Sequence, residues 1–210
     1  MSARELLKTH LDQCPLIAII RGVRPDEAEA IGDAIYEGGI RIIEVPLNSP
    51  DPLHSIELLA RRFGDRMLVG AGTVLTTQDV QRVKDVGGRI IVSPDTNIDV
   101  VSAAAGAGLV SSPGYFTPSE AFVALRAGAH ALKLFPAEGA SPDVLKAQLA
   151  VIPKDVPVMA VGGVAPDNMQ PWIAAGAAGF GLGSGLYKPG QTAADTLEKA
   201  RAYVAGVKRT

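Results

Sequence analysis

Lys133 sits in His130-Ala131-Leu132-Lys133-Leu134-Phe135-Pro136-Ala137-Glu138, a run that otherwise reads as a buried strand. Burying an ammonium is expensive unless it is paired or deprotonated. A lysine held this way is either an interior cation answered by a carboxylate or an amine nucleophile that attacks a carbonyl and forms a Schiff base. Glu44 lies in a second apolar run, and Arg21 directly follows a third. A carboxylate can carry protons, and a guanidinium can clamp a substrate carboxylate through two parallel hydrogen bonds. Two glycine-rich turns, Val161-Gly162-Gly163-Val164 and Gly181-Leu182-Gly183-Ser184-Gly185, would let backbone N–H groups approach a phosphate closely.

The elements that must position these groups repeat along the chain. Apolar strand-like runs occur near 16–20, 41–46, 67–73, 89–94, 109–113, 130–135, 156–162 and 178–184, each followed by a helix-like segment. Helix starts are signalled by Pro25, Asp51-Pro52, Thr76 with Asp79, Thr117-Pro118-Ser119-Glu120, Ser141-Pro142-Asp143 and Pro166-Asp167. Helix ends carry Gly38-Gly39, Gly87-Gly88, Gly106-Ala107, Gly128-Ala129 and Gly176-Ala177. About eight strand–helix units in 210 residues predict a compact α/β fold, a single-domain (β/α)8 TIM barrel over 1–210. Ser2 and Glu5 have capping-box spacing, so an N-terminal capping helix to about Gln13 is expected over one end of the core. An open doubly wound sheet is the alternative, but no Gly-x-Gly-x-x-Gly follows the first strand.

Barrel chemistry sits at the C-terminal ends of the strands. Arg21, Glu44, Thr73 and Lys133 all fall there. Strand alternation puts Ile42, Glu44 and Pro46 on one face, and Ala131, Lys133 and Phe135 on one face, leaving Ile43, Val45, Leu132 and Leu134 for the helix layer. Glu44 and Lys133 are then expected to point into the barrel mouth. A structural Glu–Lys pair and a catalytic one both remain open at this point. The glycine turns follow strands seven and eight, where barrels often hold phosphate. The set suits a small phosphorylated keto-sugar acid.

Composition narrows the classes further. A formal net charge of -2 offers no basic footprint for nucleic acid and no polybasic membrane patch. The first 13 residues lack the apolar core of a signal peptide, and no apolar run nears ~20 residues. The single Cys14 rules out an internal disulfide framework, so a cytoplasmic protein is expected. His10, His54 and His130 are scattered, His130 at the wrong end of its strand and His54 in a helix, and the chemistry outlined requires no metal and no cofactor.

Several ordered motifs are similar to one family. Ile-Arg-Gly (20–22), Glu-Val-Pro-Leu-Asn-Ser-Pro (44–50), Gly-Ala-Gly-Thr-Val-Leu (70–75), Ala-Leu-Lys-Leu-Phe-Pro (131–136), Ala-Val-Gly-Gly-Val (160–164) and Gly-Leu-Gly-Ser (181–184) resemble the pyruvate-forming 2-keto-3-deoxy-6-phosphogluconate and galactonate aldolases. The resemblance implies a Schiff base on Lys133, proton transfer by Glu44, a pyruvate carboxylate held by Arg21 and Thr73, and a phosphate bound by Gly162, Gly163, Gly183 and Ser184. It also implies a homotrimer. The gluconate-type members usually carry Thr before the Gly-Gly pair and Thr-Leu-Arg where this chain has Pro46-Leu47-Asn48, so Val161 and that segment favour the galactonate epimer. A non-catalytic phosphosugar-binding barrel is the alternative from a different class.

Overall fold

In the computed structural model, which describes residues 1–208, one leading helix is followed by a repeated alternation of strand and helix. The strands are β1 (Leu16–Ile19), β2 (Ile42–Pro46), β3 (Leu68–Gly72), β4 (Ile90–Val92), β5 (Val110–Ser112), β6 (Gly114–Tyr115), β7 (Leu132–Leu134), β8 (Val158–Val161) and β9 (Gly179–Leu182). The helices are α1 (Ala3–Gln13), α2 (Pro25–Glu37), α3 (Pro52–Phe63), α4 (Thr77–Asp85), α5 (Ile98–Gly106), α6 (Pro118–Arg126), α7 (Pro142–Leu149), α8 (Met169–Ala175) and α9 (Ala193–Val207).

All strand pairings are parallel, in the order β5-β4-β3-β2-β1-β9-β8-β7-β6. The two ends of that order are one stretch of chain. Proline at 113 has no N–H to give to a ladder, and it separates β5 from β6. β5 pairs with β4, and β6 pairs with β7. Hydrogen bonds from Lys133 N–H to the Pro113 carbonyl (2.9 Å) and from Phe135 N–H to the Tyr115 carbonyl (3.1 Å) close the ring. The barrel therefore has eight staves, as the sequence spacing predicts, with the fifth one broken.

Strand alternation decides the two cores. Ile17, Ile42, Leu68, Ile90, Val110 and Met159 fill the barrel interior together with Leu7 from α1. Ile43, Val45, Val69 and Ile91 face outward into one helix-packed cluster, and Leu132 and Leu134 into another. Leu7 is buried at the base of the barrel, and such a side chain contributes roughly 1.5–3 kcal/mol on burial. The capping box predicted at Ser2 forms: Ser2 N–H donates to Glu5 Oε2 (2.8 Å) and Glu5 N–H to Ser2 Oγ (3.2 Å). α1 thus stops the N-terminal end of the barrel.

One predicted boundary moves. The helix expected at Pro166 begins at Met169, because the Asn168 side chain folds the intervening residues into a turn. Its Oδ1 accepts from Ala165 N–H (2.9 Å) and its Nδ2 donates to the Gly163 carbonyl (2.8 Å). The predicted starts at Asp51-Pro52, Thr76, Thr117 and Ser141 are where the helices begin. Among the described residues no helix is long and apolar enough to cross a membrane.

Candidate active site

Glu44 projects inward from β2 and is 2 % exposed. Gly72 on the neighbouring strand makes room for it, since a Cβ there would overlap the Glu44 carboxylate. Lys133 projects inward from β7, is 8 % exposed, and holds its Nζ 4.7 Å from the centre of the Phe135 ring. The two groups share a small internal cavity with Ser112, Val161 and Gly181. Its volume of about 10 Å³ is close to the smallest that accommodates one water. Among the described residues Glu44 and Lys133 make no direct ion pair, and Glu44 Oε2 has no hydrogen-bond partner. The interior-cation reading of Lys133 required a bridge, and the bridge is absent among these residues.

Burial dominates the electrostatics of both groups. It raises the Glu44 carboxyl to about 7, against the opposing pull of Lys133 and Arg21. It also lowers the Lys133 ammonium, which Glu44 partly counteracts and Arg21 reinforces. The carboxyl is thereby brought near neutrality, where an acid–base group is most effective. An amine with a lowered pKa has more of its population in the nucleophilic form.

Arg21 lies just beyond β1 on the rim of the mouth. Its Nη1 donates to Asn48 Oδ1, and both Nη atoms reach Thr73 Oγ1 at 3.5 Å. Thr73 has φ 56°, an unusual conformation for a β-branched residue and one that costs of order 1–3 kcal/mol. The loop after β2 also braces the loop after β1, with Gly22 N–H donating to Ser49 Oγ (2.9 Å). Arg21, Thr73, Glu44 and Lys133 are thus gathered at one end of the barrel from β1, β3, β2 and β7.

The two glycine turns lie after β8 and β9 at the same end. Gly162 (φ 113°) and Gly163 (φ 65°) both adopt backbone conformations that suit glycine. Gly183 is open on its side-chain face, and Ser184 is exposed. Val161 precedes the first pair and lines the cavity shared by Glu44 and Lys133. The exposed Glu138 lies across Gly162 and Gly163, its Oε2 2.7 Å from where a Cβ on Gly162 would be.

Sequence reading missed several neighbours. Strand alternation gives Phe135 a face but not its contact with Lys133, the motifs mark Asn48 only for substrate preference, and no local pattern gives Ser112, Gly72 or Glu138 a role. A serine pair inside an apolar run at Ser111-Ser112 was a usable signal for the buried Ser112. The pairing of Gly72 with the Glu44 carboxylate depends on register between strands, which one strand's sequence does not state.

Fold and site together define a (β/α)8-barrel enzyme built around a buried lysine and a buried carboxylate. The profile of the KDPG and KHG aldolases matches residues 7–202, and the chain belongs to that family. It is 50% identical over 191 residues to a probable 2-dehydro-3-deoxy-6-phosphogalactonate aldolase of Rhizobium meliloti, covering 91% of this chain and 90% of that one. It is 47% identical over 190 residues to the 2-dehydro-3-deoxy-6-phosphogalactonate aldolase of Escherichia coli, covering 90% and 93%. Among solved structures, a native KDPGal structure superposes with a TM-score of 0.92 at 45% identity, over 93% of this chain and 95% of that one. A protein cage designed by fusing symmetric oligomeric domains gives 0.91 at 46% identity, over 92% and 72%. A KDPG aldolase from Legionella pneumophila, with pyruvate captured as a covalent carbinolamine, gives 0.82 at 27% identity over 98% of each chain.

Proposed function

We propose that this chain is a class I aldolase that cleaves 2-dehydro-3-deoxy-6-phospho-D-galactonate to pyruvate and D-glyceraldehyde 3-phosphate in galactonate catabolism. The observation that carries the proposal is a buried Lys133, its ammonium disfavoured by burial, beside a Glu44 carboxyl raised to about 7 and not bridged to it. The two relatives near half identity bear the name of this activity.

In this reading, neutral Lys133 adds to the C2 ketone to give a carbinolamine. Glu44, through one water in the small cavity, protonates the departing hydroxyl, so water leaves and an iminium remains. The iminium accepts electrons. The Glu44 carboxylate left by the dehydration takes the C4 hydroxyl proton, directly or through the water, so that the aldehyde forms as the C3–C4 bond breaks and the electron pair of that bond becomes the enamine of pyruvate. Glu44 helps return a proton to C3, and hydrolysis frees pyruvate and regenerates the amine. Arg21 and Thr73 hold the substrate carboxylate, and Gly162, Gly163, Gly183 and Ser184 bind the phosphate through backbone N–H groups and the Ser184 hydroxyl. The scheme uses no metal or cofactor.

Val161 before the Gly-Gly pair and the Pro46-Leu47-Asn48 segment, which resemble the galactonate-type members, support the galactonate epimer, as do the names of the two relatives near half identity. The gluconate epimer is the second reading. The two pure C4 epimers yield identical products, so their kcat/KM values must be compared directly. A higher value for the galactonate form is expected; a higher value for the gluconate form reverses the assignment. Sodium borohydride added with pyruvate is expected to inactivate the protein with a reduced adduct on Lys133, located by peptide mass spectrometry. Modification of a different lysine, or retained activity with no adduct, would sink the Schiff-base scheme. Binding without turnover of either epimer would leave a phosphosugar-binding barrel.

Glu138 gives the phosphate reading a separate test. Its carboxylate lies against the glycine pair and opposes an incoming phosphate dianion. Glu138→Gln is expected to lower KM for the phosphorylated substrate a few-fold while the rate of borohydride trapping with pyruvate is unchanged. An unchanged or raised KM would count against phosphate at Gly162 and Gly163.

We further propose that residues 1–210 act as one aldolase domain and assemble as a homotrimer. Leu75, Ile98 and Phe116, exposed on the mouth-side segments that follow β3, β4 and β6, offer an apolar contact surface, and a structurally similar chain is used as a symmetric oligomeric domain. A cytoplasmic setting suits the single, buried, free Cys14.

A further inference from the structure

A second cavity lies far from Glu44 and Lys133. It lies at the N-terminal end of the barrel and measures about 890 Å³, within the range of small-molecule sites. The position of α1 explains it. That helix packs under the β3 and β5 side of the base, and the part beneath β7–β9 is left bounded by the 149–158 loop and the 175–178 turn.

The lining is divided by chemistry. Leu7, Leu11, Leu149, Ile152 and Val158 provide apolar walls. Among the described residues that line it, Arg4, Lys8, Lys146 and Lys154 stand against two carboxylates, Asp12 and Asp155. Arg4 pairs with Asp155 at 3.2 Å and Lys8 with Asp12 at 2.5 Å. Among the described residues Lys154 has no carboxylate partner, and it donates to the Leu149 carbonyl (3.1 Å). Lys146 makes no ion pair among the described residues, so two cations remain unanswered.

His130 adds a directed donor. Ser111 N–H donates to its Nδ1 (3.1 Å), which puts the proton of the neutral ring on Nε2. Burial, with a smaller contribution from Arg4, lowers its pKa and keeps the ring neutral. A neutral donor, two unanswered cations and an apolar wall favour a ligand with a single acidic head and a hydrocarbon body. A phosphorylated sugar acid is too polar along its length for these walls.

We propose that this basal cavity is a second ligand site that takes an amphipathic organic monoanion, its carboxylate or sulfonate on the Lys146–Lys154 side and its apolar body against Leu149, Ile152 and Val158. The probe is 8-anilinonaphthalene-1-sulfonate, titrated into the full-length assembled protein and followed by fluorescence and calorimetry. One saturable site per chain is expected. It should persist after the active site is blocked with pyruvate and borohydride. The double variant Lys146→Glu, Lys154→Glu, whose changes are on exposed residues, is expected to weaken binding at least 10-fold with turnover retained. Ala150→Trp, which fills the cavity from its rim, is expected to do the same. The proposal is overturned by no saturable binding to the assembled protein, by loss of binding when Lys133 is blocked, or by binding that neither variant weakens.

Discussion

The two ends of the barrel treat charge in opposite ways. At the C-terminal mouth a carboxylate and an ammonium are both buried, are not bridged, and have pKa values moved toward neutrality by burial. At the N-terminal base, Arg4 and Lys8 are exposed and paired with Asp155 and Asp12. Burial without a bridge keeps a group reactive, and it does so at a cost in stability. Exposed pairing leaves stability and reactivity nearly untouched. The same fold holds both because α1 packs against the base alone, while Glu44 and Lys133 are enclosed at the opposite end by the strands themselves.

Glu44→Gln presses hardest on this contrast. Turnover is expected to fall by about 10²–10⁴-fold, the usual worth of a positioned acid–base group. Stability should move the other way. The folded-state pKa is about 7, against an ordinary value of 4.5, so between those values the folded chain holds a proton that the unfolded chain has released. The contribution of Glu44 is therefore full below pH 4.5 and is lost as pH rises through 7. Above that pH the variant is expected to gain on the order of 3 kcal/mol over the parent, from a shift worth about 1.4 kcal/mol per unit. At pH 4 the two should coincide. Urea denaturation at both pH values checks this, and equal stability at pH 8 would mean that the carboxylate is solvated.

Gly72→Ala tests whether the position of that carboxylate matters as much as its charge. The new methyl would occupy the space of Glu44 Oε2, and the carboxylate must swing away. A displacement on that scale costs about 10²-fold in rate. Borohydride trapping at Lys133 should slow as well, while KM for the phosphorylated substrate is expected to change little, since the proposed phosphate loops lie after β8 and β9. Unchanged turnover would show that Glu44 acts without close placement.

Much of this contrast was legible in the sequence. Period-two alternation assigned Glu44 and Lys133 to the interior, because flipping either strand would take Ile43 and Val45, or Leu132 and Leu134, out of the helix layer and bury a charged group there instead. The helix starts at Thr76, Thr117 and Ser141 were readable because capping is local chemistry. Where long-range geometry decides, the sequence was silent. Nothing in the chain order says that Gly72 faces the Glu44 carboxylate, that Glu138 lies over Gly162, or that a cavity remains between α1 and the base beneath β8. The Asn168 turn escaped for a related reason: a proline signals a helix start, and the asparagine beyond it won by bonding back to the backbone at Gly163 and Ala165.

Arg4→Ala is expected to have the smallest effect, and it defines the other pole of the comparison. The Arg4 and Asp155 side chains are 52% and 75% exposed, and a pair of that kind contributes about 0–1 kcal/mol, less at high salt. Thermal unfolding should shift by no more than a few degrees, with kcat unchanged because the reacting groups lie at the far end of the barrel. One local readout should move. Arg4 contributes to the lowered pKa of His130, while burial is the larger cause. Removing the guanidinium should therefore return the His130 titration only part of the way toward its ordinary value, as measured by NMR of the ring protons. A full return would mean that the charge, and not burial, governs the base, and the distinction between a buried mouth and a solvated base would fail there.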